Sequence, residues 1–178
     1  YLDAETAATP LAMMKGHFGE LPDTLNLFLG NMGGSMGEVS AIAILIGLAY
    51  LLYKKIISWH IPVSILATVF IFTAILNWIH PEAYASPVAH LFTGGLMLGA
   101  VFMATDPVTS ARTEKGKWIF GFLIGAMAIV IRVLDPGYPE GMMLAILLMN
   151  IFAPLIDYFF VQANISKRLK RTTKSINA

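Results

Sequence analysis

The chain has 178 residues, 57% of them apolar and only 13% charged, and its mean hydropathy is +0.70. Soluble domains carry about a quarter charged residues, so a freely soluble globule is excluded and an integral membrane protein is expected. The net charge of +1 decides nothing by itself, whereas the absence of cysteine excludes disulfides, thiolate metal sites, iron–sulfur clusters held by this chain and cysteine nucleophiles.

The opening stretch DAETAATPL, residues 3–11, is small and polar and closes on Thr9-Pro10. Two readings fit it. Thr9 can be the N-cap of a helix that starts at Pro10, or its hydroxyl can carry a covalent group; sequence chemistry alone does not separate them. The chain opens on Tyr1 with no signal-peptide pattern, so a piece of a longer polypeptide is expected. Next, Leu21–Glu38 (LPDTLNLFLGNMGGSMGE) holds an apolar run too short to span, closed by a glycine-rich turn. It reads as an interfacial helix or as a re-entrant half-helix covered by protein. Its glycines would let backbone N–H groups approach a ligand or ion closely.

Five stretches approach the ~20 residues that a bilayer-crossing helix needs: Met36–Tyr53, Ile61–Ile79, Pro87–Thr105, Lys117–Leu134 and Glu140–Val161. Gly94, Gly95 and Gly99 in the third are expected to let helices pack closely. Lys54 and Lys55 follow the first span, Arg112, Lys115 and Lys117 follow the third, and SKRLKRTTKS follows the fifth. The alternate loops, HPEAYAS and DPGYPEG, hold no lysine or arginine. By the positive-inside rule the basic loops are cytoplasmic, which puts the C-terminus inside and Thr9 outside.

Ionisable groups near the apolar slab need a partner or a role. Glu38, Arg132, Asp135 and Glu140 fall at outer ends, where they read as interfacial charges; Arg132 and Asp135, one turn apart, can pair. Asp106 and Asp157 fall at inner ends. Asp106 precedes a helix-ending Pro107 and its carboxylate can cap the following turn. With Thr105, Thr109 and Asn150 nearby in sequence or helix phase, the two carboxylates supply the hard oxygens a small cation prefers. His90 reads as a hydrogen-bonded packing residue. No P-loop, dinucleotide fingerprint, nucleophile elbow or zinc signature occurs. The basic tail reads as an anchor on anionic membrane lipid, not a nucleic-acid arm. From the residues alone, a channel, a transporter and a redox subunit all remain open.

FMATDPVTSARTEKGKWIFGFLIGAM, RVLDPGYPEGMMLAILLMNIFAPLIDYFFVQANISKR and GNMGGSMGEVS resemble one family of membrane redox subunits. It comprises the NqrB subunits of sodium-pumping NADH:quinone oxidoreductases and the RnfD subunits of Rnf ferredoxin:NAD oxidoreductases. FMATDPVTS and YPEG are shared by both branches, whereas VQANISKR is similar to the quinone-reducing one. The resemblance covers nearly the whole chain and matches the C-terminal half of the NqrB type.

The resemblance implies covalent FMN, attached through its phosphate to a threonine in a motif Asp-x-x-Ser/Thr-Gly-Ala-Thr. Asp3, Thr6, Ala8 and Thr9 fit it, with Ala7 where glycine is usual, so Thr9 is the implied acceptor and Asp3 and Thr6 the recognition residues. Lys15 or His17 would neutralise the remaining phosphate charge. Electrons would pass from a neighbouring flavoprotein subunit through FMN to riboflavin, held mostly by the missing N-terminal part, and on to quinone. Asp106 and Asp157 match acidic positions implicated in sodium uptake.

The implied fold is all-α and polytopic, with five transmembrane helices and a re-entrant half-helix over Leu21–Asn31. It is one half of a urea-transporter-like inverted repeat. Residues 1–35 would form the outer flavin-attachment segment, 36–162 the bundle and 163–178 a basic cytoplasmic tail, in a bacterial inner-membrane complex of several subunits. The other readings are an Rnf-type subunit and a non-redox small-solute channel or transporter.

Overall fold

The computed structural model describes residues 24–30, 37, 39–79, 86–134 and 140–176, and every regular element among them is helical. Helix α1, Thr24–Leu29, is a short piece stopped by Gly30. The Gly30 N–H donates to the Asn26 carbonyl (2.9 Å) with φ at +89°. A side chain there would lie 2.8 Å from the Val39 carbonyl oxygen, so glycine lets α1 fold back against the start of the next helix.

Helix α2 spans Ala41–Tyr53, with the Ser40 hydroxyl accepting the Ala43 N–H (3.4 Å) as its N-cap. Its 13 residues rise about 20 Å, against about 30 Å of bilayer hydrocarbon. The span expected over Met36–Tyr53 is therefore helical only over its later part. Gly37, at φ +90°, and the extended Ser40 keep the chain out of helix before Ala41. The helix closes on Lys55 at φ 55°, with Lys55 N–H on Leu52 O (3.0 Å) and Ile56 N–H on Leu51 O (3.1 Å). That is the left-handed C-terminal closure glycine usually provides.

Helix α3, His60–Ile79, leads across the bundle, and α6, Glu114–Leu134, runs beside it in the same direction. Small residues bring the two together. A side-chain carbon at Gly121 would lie 2.7 Å from Ser64 Cβ, and one at Gly125 would lie 2.8 Å from Thr68 Cβ. Facing small-xxx-small pairs thus replace bulky ridges, the way helices associate where hydrophobic burial provides no force between them. The Ser64 hydroxyl donates across the seam to the Trp118 carbonyl (2.8 Å). Ile61, Ile65, Val69, Phe120, Ile124 and Ala128 fill the core around this line.

The stretch expected as a continuous third span is broken into α4 (Pro87–Phe92), α5 (Leu96–Leu98) and a π-helical turn (Gly99–Met103). Gly94 adopts φ +69°, so this glycine makes the break and is not a helix-contact residue. Gly99 does serve packing: a side-chain carbon there would lie 2.6 Å from Met142 Cγ. Helix α7, Met142–Ile176, runs 35 residues, about 52 Å, antiparallel to α6. Residues expected as a separate basic tail continue this helix as far as Ile176.

Helices α3, α6 and α7 are each long and apolar enough to cross a membrane, and α2 is a shorter apolar helix. Large apolar side chains face outward, Trp78 (87% exposed), Ile151 and Phe159 among them, as suits a lipid-facing surface.

Candidate functional site at the basic end of the bundle

The α2–α3 connection and the segment before α6 meet at one end of the bundle. The Lys117 ammonium donates to the Ser58 hydroxyl (2.8 Å) and to Glu114 (2.9 Å). His60 Nε2 lies 3.2 Å from the other Glu114 oxygen. The His60 ring stacks on Trp59 at 4.3 Å and meets Trp118 edge-on at 5.6 Å. Two indoles and a lysine with a half-apolar stem suit a membrane–water boundary. A cavity of about 220 Å³ opens here, lined by Ile56, Ser58, Thr105, Ser110, Arg112 and Lys117 among others.

Asp106 and Asp157 hold the two ends of the loop that forms this cavity wall. Asp106 closes its own turn. One oxygen accepts the Thr109 N–H (3.2 Å) and hydroxyl (2.8 Å), the other the Val108 N–H (3.4 Å). This is the capping expected of an Asp followed by a helix-ending proline. The Thr109 hydroxyl, helped by these N–H groups, holds the Asp106 carboxyl below its ordinary 3.8.

Asp157 reaches over from α7. Its Oδ2 accepts the Arg112 N–H (2.8 Å), and its Oδ1 accepts the Thr113 N–H (3.0 Å) and hydroxyl (2.7 Å). Gly116 leaves the room: a side chain there would run into the Thr113 hydroxyl and lie 2.9 Å from Asp157 Oδ1. The two carboxylates share a loop but no hydrogen-bonding partner among these bonds. Each carries two donors on one oxygen and one on the other, leaving acceptor capacity for a cation. Thr105 is otherwise engaged, its hydroxyl on the Val101 carbonyl (2.6 Å). Among the described residues no three His, Asp or Glu side chains converge as a metal-binding group.

At the other end Arg132 departs from expectation. It is only 5% exposed and turns inward, Nη1 on the His90 carbonyl (2.9 Å) and Nη2 on the Thr93 carbonyl (3.2 Å). The break after α4 frees those carbonyls, and the guanidinium takes them up. Asp135, its expected partner, lies outside the described residues, as do Glu38 and the flavin-motif residues Asp3, Thr6, Thr9, Lys15 and His17.

The sequence reading missed Thr113, Gly116 and the Gly121–Ser64 and Gly125–Thr68 seam. The seam had a local signal in Gly121-x-x-x-Gly125 facing Ser64-x-x-x-Thr68. The Thr113 contact with Asp157 spans 44 positions and had none.

Comparison with known proteins decides the family, because the model of the NQR2, RnfD, RnfE family matches residues 1–166. The chain belongs to the NQR2, RnfD, RnfE family. Among curated relatives of this family member, one from Pseudomonas paraeruginosa is 53% identical over 151 residues, covering 83% of this chain and 38% of its own length. One from Klebsiella pneumoniae is 45% identical, covering 95% of this chain and 44% of itself. A third, from Neisseria meningitidis, is 41% identical, covering 96% and 45%. All three are named as the NqrB subunit of a Na(+)-translocating NADH-quinone reductase. The chain spans 38–45% of the length of these relatives.

Proposed function

We propose that this chain acts within the membrane-embedded, flavin-carrying NqrB subunit of a sodium-translocating NADH:quinone reductase. The observation that carries the reading is 53% identity to relatives bearing that name, against no soluble-enzyme motif in the chain itself. The Rnf branch shares the family model, but the relatives compared above are all named for the quinone reductase.

In this reading the Thr9 hydroxyl carries FMN through a phosphoester on the outer side, with Asp3 and Thr6 recognised during attachment and Lys15 and His17 balancing the phosphate. FMN supplies one-electron chemistry, and electrons continue to riboflavin and quinone. The bundle forms half of a urea-transporter-like inverted repeat. Its basic end faces the cytoplasm of a bacterial cell, as the lysine and arginine placement favours, and the basic part of α7 starts against anionic lipid. Neighbouring subunits of the complex bring the electrons in.

Sodium, the cargo, would be drawn to the basic end by Asp106 and Asp157, each with acceptor capacity left after its loop bonds. The test is a sodium titration of NADH:quinone turnover in membranes holding the full complex. Asp157→Ala should raise the half-activating sodium concentration about tenfold, the equivalent of ~1.4 kcal/mol, with flavin retained. Unchanged sodium activation removes Asp157 from the ion path.

A further inference from the structure

A buried arginine sits where the broken third segment would otherwise present bare carbonyl oxygens. Helix α4 has six residues, too few to satisfy its own last carbonyls. The Ala89 carbonyl is covered locally, by the Thr93 N–H (3.0 Å) and hydroxyl (2.8 Å). The His90 and Thr93 carbonyls receive Arg132 Nη1 and Nη2. Thr93 is fully buried, and Gly94 at φ +69° turns the chain away immediately after. A half-helix C-terminus with unwound carbonyls is the donor set by which discontinuous membrane helices coordinate sodium, and its dipole end is negative.

We propose that Arg132 is a tethered cation that fills this carbonyl set and seals the break in the third segment against mobile cations. A fixed guanidinium removes the oxygens a dehydrating ion needs and repels it electrostatically, as arginines do in pores that exclude cations. Two features support the assignment over a packing role alone. The guanidinium spans two carbonyls on opposite sides of the break, which a planar fork can do and a point charge cannot. Its carrier helix α6 is also the one whose first turn faces Asp157 at the basic end. The proposal rests on the cation-translocating reading above, because a seal matters only in a protein that conducts a cation elsewhere.

The experiment uses the full complex in proteoliposomes and follows passive radioactive sodium influx under an imposed potassium-diffusion potential, with no electron donor. Influx without electron donor needs no redox coupling, and NADH-driven sodium uptake by the unmodified complex is measured alongside. Failure of that uptake counts against the functional reading, whereas the leak alone reports the seal. Arg132→Ala and Arg132→Gln should each raise passive influx about tenfold or more, the effect of losing one like charge near the path. Arg132→Lys should stay closer to the unmodified complex. Assembled Ala and Gln complexes as tight as the unmodified one overturn the proposal. Failure of both to assemble also overturns it, by giving Arg132 a structural role only.

Discussion

Replacing Asp157 with alanine should free the loop before α6 without dismantling the helices. Three donors converge on this carboxylate: the Arg112 N–H, the Thr113 N–H and the Thr113 hydroxyl, at 2.8, 3.0 and 2.7 Å. Hydrogen bonds to a charged acceptor contribute about 1.5–3 kcal/mol each where sheltered. Asp157 is only half-buried, so water shares the load and the set contributes about 2–3 kcal/mol together. Local opening that becomes easier by that amount speeds amide exchange about 30- to 150-fold. The assay is hydrogen exchange read by mass spectrometry on peptides covering the Arg112 and Thr113 amides, in the assembled protein. Asp157→Asn should fall between, because its amide can accept from Thr113 but turns an N–H donor toward the Arg112 N–H. Unchanged exchange at both amides in Asp157→Ala would refute the clamp.

Gly116→Ala should mimic part of that loss, since its methyl would strike the Thr113 hydroxyl and crowd Asp157 Oδ1; the same exchange peptides report it, and an unaltered profile contradicts it. Gly121→Val pushes α6 off Ser64 and the Ile61 carbonyl at about 1–3 kcal/mol of overpacking. The yield and thermal midpoint of the assembled complex should both fall, whereas an outward-facing control, Phe122→Leu, should change neither. The Asp106 turn should be insensitive to pH through the physiological range. Its carboxyl is held below 3.8 when folded, so the stabilisation is complete above that value and is lost only as pH falls through the folded pKa. Amide protection at Val108 and Thr109, corrected for intrinsic rates, should stay constant from about pH 8 to 5; a loss near neutrality would contradict it.

Helices α3 and α6 were legible because uninterrupted apolar runs leave one reading. Ile61–Ile79 and Lys117–Leu134 fall within one and three residues of their observed starts. The third stretch was misread because a glycine pair serves close packing and helix breakage equally well, and only the φ of Gly94 separates the two. The start of α2 was missed although Ser40 before an apolar run is a capping signal. Charge in the tail concealed its helix, since lysine and arginine are good helix formers. Of the site, the Asp106 turn was readable from Asp-Pro-Val-Thr, a bond within three residues. The Asp157 clamp joins residues 44 and 45 positions apart, beyond the reach of local pattern. Arg132 could not be placed at all without knowing that the third segment breaks, for its acceptors exist only at that break.

The most direct measurement of the electron-carrying role is flavin fluorescence in a denaturing gel. The full-length subunit is expressed in its native membrane beside a Thr9→Ala variant. Fluorescence that survives denaturation and vanishes in the variant is the expected result and makes Thr9 the flavin tether. A dark band from membranes with an active flavin transferase would contradict it, returning Thr9 to helix capping and the chain to a solute channel or transporter.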